Sequence, residues 1–525
     1  MSKPRAPLDA AGPIVQGSEQ SSGFDESCDV VVVGSGAGGA TVAAHLAEAG
    51  LRVIVVEEGP HVPAAEYQRF KPTDTVRRLF RQAGMIAALG DRHTPVISVT
   101  AGRAVGGSSL LTGGVCFRIP AEVHHRWEHE LGLASLSERA LERAYEDVER
   151  RMEVTTVPES LRSASTQAFV DGARLLGIPM QPLRRNMTAK CVGLARCNFG
   201  CPVGAKRSVD VSYLPSAFAH GARLVSDALV ERIMVERGRA VGVRGRLLGE
   251  APGQRTHAFR VRARAVVCAC GSLHTPMLLR TAGVGARSLG RHLTLHPGGR
   301  VVALFPRAVR GWDGALQSVY SDHFASQGIT LVGVYSPVNV LAAAMPGIGP
   351  VFTERVRRMP NLGVFGAMIH DQGGGRLFHL LGREPLVRYC MAPQDLGRLR
   401  RSFRVLAEIA LAAGAEQVLP PVFGLPPIRT AAQARALETD PIDPRRIECM
   451  AFHPLGSARM ASHPDAGVVD ADGECFEVPG LFVADGSVLP TSIGVNSQEP
   501  IMAVATSLAW RLRERLQLRL GRRVG

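Results

Sequence analysis

The sequence predicts an α/β protein in two parts: a discontinuous Rossmann-like nucleotide-binding domain, and a second, α+β domain inserted within it. Three observations carry this. An apolar β-branched run, Val30-Val31-Val32-Val33, enters the glycine-rich turn Gly34-Ser35-Gly36-Ala37-Gly38-Gly39. A second strand pattern, Arg52-Val53-Ile54-Val55-Val56, ends on the acid Glu57. Far along the chain, another apolar strand meets a Gly-Ser turn at Ala265-Val266-Val267-Cys268-Ala269-Cys270-Gly271-Ser272.

Each element has a physical reading. Val30 to Val33 suit a central parallel strand buried on both faces. Gly34, Gly36 and Gly39 match G-x-G-x-x-G. The first permits the tight turn, the second lets backbone approach a pyrophosphate, and the third lets the helix pack on the strand. That helix is expected from about Gly38 to Ala49, with Val42, Ala43, Leu46 and Ala47 at helical spacing and Gly50 as its stop. Glu57 stands 21 residues beyond Gly36, a spacing that suits a ribose hydroxyl and disfavours a 2′-phosphate. Glu58 reads as its solvated neighbour.

Ala222 to Val225, Val230 to Val235 and Ala240 to Val243 read as short strands of a meander. After the Gly-Ser turn a helix is expected near Thr275-Pro276, with proline at an early helical position. Leu481 to Ala484 form a last apolar strand ending at Asp485-Gly486. Stretches 121–200 and 301–449, rich in arginine and proline with mixed helical patterns, make the second domain. Stretches 27–120, 201–300 and 450–525 make the nucleotide-binding domain. Residues 1–26, polar with Gly, Ser and Pro, read as a disordered arm.

Composition narrows the function. A chain of 525 residues with 46% hydrophobic content has material for a large core. The net charge of +14 comes from arginines scattered along the chain, with no aromatic-interleaved basic stripe, so nucleic acid is not an expected partner. Ten cysteines in this length are not a small disulfide scaffold. No apolar h-region opens the sequence and no apolar stretch reaches about 20 residues, so a cytoplasmic protein without a membrane span is expected. The basic, leucine-spaced tail from Trp510 reads as a terminal helix docking on the core.

The C-terminal part supplies reactive side chains: His453-Pro454-Leu455-Gly456-Ser457, then Val483-Ala484-Asp485-Gly486-Ser487, then Gly494-Val495-Asn496. Histidine titrates near neutrality and can take a proton from a bound group. Asparagine can donate to an alkoxide-like oxygen without competing for that proton. His453 and Asn496 are the histidine and asparagine of these blocks that could sit over the reactive end of the same nucleotide cofactor. His124, His125 and His296 are weaker candidates; His296, before Pro297, suits a turn cap equally well. Cys191, Cys197 and Cys201 are spaced C-x5-C-x3-C, short of the four ligands a structural zinc or an iron–sulfur cluster wants, so a packed loop or a disulfide is favoured. The apolar, proline-broken stretch Val338 to Phe352 fits a tunnel wall, a lid or ordinary core.

Assembled, these blocks resemble the glucose–methanol–choline (GMC) oxidoreductases over most of residues 28–515. The blocks are the dinucleotide turn with Glu57, the loop Gly102-Arg103-Ala104-Val105-Gly106-Gly107-Ser108-Ser109, the Cys270 to Pro276 turn, and the segment His453 to Pro500. Cys191 to Lys206 and Ile369 to Arg376 are similar to segments of the long-chain alcohol oxidases within that family. Gly494-Val495-Asn496 is similar to the cholesterol oxidases. The resemblance implies an FAD cofactor, with contacts from Gly34, Gly36, Gly39, Glu57, Gly106, Gly107, Ser108, Val230, Gly271 and Asp485. It implies His453 as base, Asn496 beside it, a small-molecule alcohol as substrate, and O2 or another electron acceptor. The expected substrate is apolar, long-chain or cyclic; a non-redox or natural-product tailoring reaction is the alternative. Thr112 stands where many relatives carry asparagine, and Ser497 where proline is common. Leu110 and Leu111 occupy the region where some members carry a flavin-linked histidine, so non-covalent FAD is expected.

Overall fold

The computed structural model describes residues 12–521, apart from 250, 252, 336 and 381. Two sheets organise it. The first has eight strands, running Ile14–Gln16, Arg223–Ser226, Val53–Val56, Asp25–Val33, Arg255–Cys268, Arg239–Leu248 and Ala228–Glu236, with Leu481–Val483 also paired to Arg255–Cys268. Asp25–Val33 pairs in parallel with Val53–Val56 on one side and Arg255–Cys268 on the other. Val30, Val31 and Val32 are wholly buried there, as a two-faced parallel strand requires. Each contributes about 1.5–3 kcal/mol of burial.

The expected helix runs Ala37–Glu48 and covers this strand. The meander departs from expectation in one strand. Arg223–Ser226 joins the parallel part, beside Val53–Val56 and Ile14–Gln16, whereas Ala228–Glu236, Arg239–Leu248 and Arg255–Cys268 form an antiparallel run. The arm expected over 1–26 lies outside the described residues as far as 11; beyond that it is not a disordered arm. Ile14–Gln16 is an edge strand anchored by buried Val15, and Asp25 already belongs to the central strand.

The helix after the Gly-Ser turn starts at Gly271, not near Thr275, and contains Pro276. A proline there removes the N–H that the Ser272 carbonyl would accept four residues back. Ser457 Oγ donates to that carbonyl instead, so the proline leaves no orphan. The terminal helix is Gln498–Gly521, with Leu508, Leu512 and Leu516 buried as expected and Leu518 exposed.

The second sheet has eleven strands, with Cys449–Ala451, Gly298–Leu304, Leu362–Ile369 and Ile329–Val334 side by side. It also takes in Ile86–Leu89 and Ile97–Val99, from sequence flanked by nucleotide-domain segments. The first sheet's core, in turn, includes Val123, Trp127, Leu141 and Tyr145. Each core therefore recruits chain from both sides of the sequence division. Between the sheets lies a cavity of about 940 Å³.

Candidate active site

The glycine turn forms one end of this cavity. Gly34 adopts φ +99°, and a Cβ there would lie 2.3 Å from the Ala269 carbonyl oxygen. A Cβ on Gly39 would lie 2.0 Å from the Gly34 oxygen, so the helix reaches the strand only as glycine. Gly36 differs. Its Cβ would meet nothing closer than Gly107 Cα at 3.8 Å, and it borders the cavity. The bareness of Gly36 therefore serves something the cavity holds. Gly107, at φ +53°, comes so close that its own Cβ would be 2.7 Å from Gly36 Cα. Gly38 was not singled out by the sequence, yet a Cβ there would be 1.8 Å from the Ala484 oxygen.

Glu57 is buried at the cavity wall. Its Oε2 accepts from the N–H and hydroxyl of Ser35 at 2.9 and 2.7 Å, and its Oε1 from the Gly59 N–H at 2.8 Å. Burial pushes its pKa up, against these donors. Ser35 Oγ also accepts from the Gly106 N–H, joining the two glycine loops. Asp485, likewise buried, accepts from Gly271 N–H at 2.8 Å and from Thr275 and Ser487. Ser108 and Val230 also line the cavity, Val230 from the strand Ala228–Glu236.

Glu58 corrects the expectation of a solvated neighbour. It is drawn into a buried cluster with Arg81 (2.8 Å) and Arg383 (2.7 Å), and Glu384 bonds Arg81 and His274. Despite desolvation, the two guanidinium groups hold Glu58 well below the usual carboxylate range.

The structure also brings His453 and Asn496 together in the wall of this cavity. His453 follows the strand Cys449–Ala451, and Asn496 lies in the loop before the terminal helix. His453 Nε2 is 3.3 Å from the Asn496 amide nitrogen, and both face the cavity. His296 joins them, beyond its expected role as a turn cap. Its Nδ1 is 3.4 Å from His453 Nδ1, and its Nε2 accepts from Ile493 and Gly494 N–H at 3.1 and 3.2 Å. The backbone of His296 is left-handed, φ +49°. Asp371 over-determines that conformation, accepting from the N–H groups of Leu295 and His296, from Ser492 Oγ and from Tyr389.

Burial, with each ring opposing charge on a neighbouring one, lowers His453 and His296 to about 3. Both rings are neutral at working pH. The rate should therefore show no titration near 6.5 from either ring. The unfolded chain, by contrast, binds protons on these histidines below about 6.5. Stability is therefore full above that pH and falls as pH drops toward 3, by about 1.4 kcal/mol per histidine for each tenfold rise in proton activity. The expected result between pH 6.5 and about 4.5 is a declining Tm with a nearly flat catalytic rate. A rate that falls with the ordinary histidine titration would overturn it.

The remaining candidates separate from the site. His124 is buried on the first core with Nδ1 on the Leu136 carbonyl, and His125 is not in the cavity wall. Cys191, Cys197 and Cys201 are free thiols. Cys197 Sγ accepts from Arg185 at 2.9 Å; burial pushes its thiol up, but Arg185 and Lys206 outweigh this and hold it below its ordinary value. Thr112 donates to Gln498 at 2.8 Å within the cavity wall, and Leu110 and Leu111 are buried with no histidine at that position. Of the Val338 to Phe352 stretch, Val340 lines the cavity, Leu341 and Met345 are buried, and Ile348 is exposed.

A glycine turn at a helix N-terminus, a buried acid at the end of the second strand and a His–Asn pair border one cavity, an arrangement that fits a dinucleotide-dependent oxidoreductase. The GMC oxidoreductase family models match residues 29–298 and 383–505. A GMC-type oxidoreductase of Mycobacterium tuberculosis is 38% identical over 92% of this chain and 75% of its own length. A long-chain-alcohol oxidase of Arabidopsis thaliana is 27% identical over 93% of this chain and 68% of its own. Among solved structures, a pyridoxine 4-oxidase from Mesorbium loti shares the fold with TM-score 0.69 at 19% identity, covering 92% of this chain and 99% of that one. The chain belongs to the GMC oxidoreductase family and is an FAD-binding enzyme.

The residues fit that cofactor. Gly36 leaves room at the N-terminus of Ala37–Glu48, where backbone N–H groups favour a pyrophosphate, while Gly34 and Gly107 allow the close backbone packing that shapes the turn.

Proposed function

We propose that the enzyme oxidises the hydroxyl of a largely apolar alcohol to an aldehyde or ketone, with His453 taking the hydroxyl proton and Asn496 holding the oxygen. The observation that carries this is the convergence of His453 and Asn496 on the cavity that the glycine cradle opens into. Bound FAD supplies the acceptor for the carbinol hydride. A neutral imidazole is available to the proton without first losing one. Leu316, Val332, Val334, Met368, Met450 and Phe452 line the same cavity, which favours an apolar skeleton over a sugar. The similarity to proteins named long-chain-alcohol oxidases points the same way. The glycine cradle and Glu57 are the FAD contacts we assign, with non-covalent attachment.

The test is anaerobic bleaching of the flavin by long-chain, aromatic, sterol and sugar alcohols, followed by admission of air. Bleaching by apolar alcohols supports the reading, and bleaching by none overturns it. Peroxide on rapid re-oxidation makes O2 the acceptor; slow re-oxidation assigns a quinone or a protein. We place the enzyme in the cytoplasm: all ten cysteines are unpaired, which suits a reducing compartment. No helix among the described residues is long and apolar enough to cross a membrane.

The His296 contact favours a second reading of His453. His296 Nε2 accepts from two backbone N–H groups, so its proton belongs on Nδ1, directed at His453 Nδ1. His453 would then keep its own proton on Nε2, with the Asn496 amide turned to present its oxygen there, and hold the substrate oxygen as a donor. His453→Gln separates the two, because glutamine donates but is no base. A loss within tenfold of wild type assigns the donor role, and a loss of about 10²-fold or more assigns the base.

A further inference from the structure

We infer that the substrate carries a second, uncharged oxygen, a carbonyl or hydroxyl, which Arg300 receives; this rests on the alcohol-oxidising reading above. The strands Gly298–Leu304, Leu362–Ile369 and Ile329–Val334 lie side by side, and directly opposed residues share a face. Arg300 opposes Gly366, which opposes Val332, and all three line the cavity. The adjacent row on that face is Gly298 with Met368, and Gly298 also opposes Met450, three residues before His453. Arg300 therefore stands two residues, about 7 Å, along the sheet from the row that adjoins the catalytic segment.

The surroundings of Arg300 are apolar, with Met450, Met368 and Val332 beside it in the wall. Its side chain is 15% exposed and pairs with Glu448 at 3.2 Å, and one guanidinium nitrogen lies 3.9 Å from the Met450 sulfur. A guanidinium has five N–H donors, more than Glu448 can take up, and Arg300 lines the cavity, where a bound molecule would displace the water that serves the rest. Two further buried polar atoms of the cavity wall have no partner, Tyr335 Oη and Gln498 Nε2.

A plain hydrocarbon alcohol would cover these groups and return nothing for the water they lose. Desolvating an ion pair and leaving donors unmet both cost free energy. An oxygen on the substrate at Arg300 removes that cost. Charge decides which oxygen. Glu448 already neutralises Arg300, so a carboxylate would be drawn by one partner and repelled by the other at nearly the same distance. A carbonyl or hydroxyl oxygen accepts from Arg300 without opposing Glu448.

The test compares decan-1-ol, 10-hydroxydecan-5-one and 6-hydroxyhexanoate on the FAD-loaded enzyme. The ketone places its carbonyl carbon five bonds, and its oxygen six, from the reacting carbon, on the scale of the two-residue step between Arg300 and the row that adjoins the catalytic segment. The expected kcat/KM for the hydroxyketone exceeds that of decan-1-ol by about tenfold or more, the scale of a hydrogen bond to a charged group. The hydroxy acid should be the poorest. In the paired variant Arg300→Met with Glu448→Gln, which leaves no unpaired charge, the ratio of hydroxyketone to decan-1-ol should fall to near one. The FAD content of that variant reports its folding. Equal use of the two alcohols by the wild type, a preferred hydroxy acid, acceptance of neither decyl alcohol when sugars bleach the flavin, or a ratio unchanged in the variant overturns the inference. Failure of every alcohol to bleach the flavin is a separate result, and it removes the alcohol reading itself.

Discussion

His453→Ala leaves the protein yellow and slows flavin reduction by about 10²–10⁴-fold, the range for loss of a positioned acid–base group. The two halves of that result have separate causes. The turn's geometry rests on backbone packing among Gly34, Gly39 and Ala269, and His453 is not among the atoms that meet it. Removing an imidazole does not disturb that packing. The rate depends on what touches the substrate oxygen, and His453 and Asn496 are the facing pair. His453 is also neutral because it is buried, so alanine removes no charge and leaves no counterion stranded. Stopped-flow bleaching under anaerobic conditions reads the rate, and absorbance after denaturation reads the FAD. A wild-type rate removes His453 from the chemistry.

Gly36→Val gives the converse: a folded protein that purifies without FAD. The added side chain has space as far as the polypeptide is concerned, since the first Cβ contact is 3.8 Å away at Gly107. It occupies the cavity where backbone should approach a pyrophosphate. Gly38→Val serves as the contrast, because its Cβ would strike the Ala484 carbonyl oxygen at 1.8 Å and the fold itself must yield. Circular dichroism together with flavin absorbance distinguishes the two. A fully loaded Gly36→Val protein would show that the cofactor does not approach the turn at this residue.

These predictions draw on different depths of legibility. The glycine cradle was readable from the sequence because its constraint is local. A tight turn, a strand before it and a helix after it each demand small residues at fixed spacing. His453 and Asn496 were readable only through resemblance, because 43 residues separate them and no periodicity links them. His296 stood equally between a place near the cofactor and a turn cap, since a His-Pro dipeptide says nothing of a ring 157 positions away. Asp371 was inside a motif that resembled a family segment, but its task, fixing Leu295, His296 and Ser492 together, exists only after the second sheet has formed. Arg300 is one of many arginines in the sequence. Strand register and the apolar lining distinguish it, and neither is visible in a string of residues. Glu58 misled for a related reason: the arginines that bury it arrive from residues 81 and 383.

The cavity's walls have a consequence for how the enzyme is made. Gly34 and Gly36 come from the first strand-turn unit, Gly271 from the middle of the chain, and Asn496 and Gln498 from its last helix and the loop before it. A ribosome exposes these segments in sequence, so the half-made polypeptide offers a cradle without a lid or a floor. The complete cavity therefore exists only once the region near residue 500 has docked, and full cofactor retention is expected to wait for it. Cells short of riboflavin should accumulate full-length apoprotein, not truncated holoprotein.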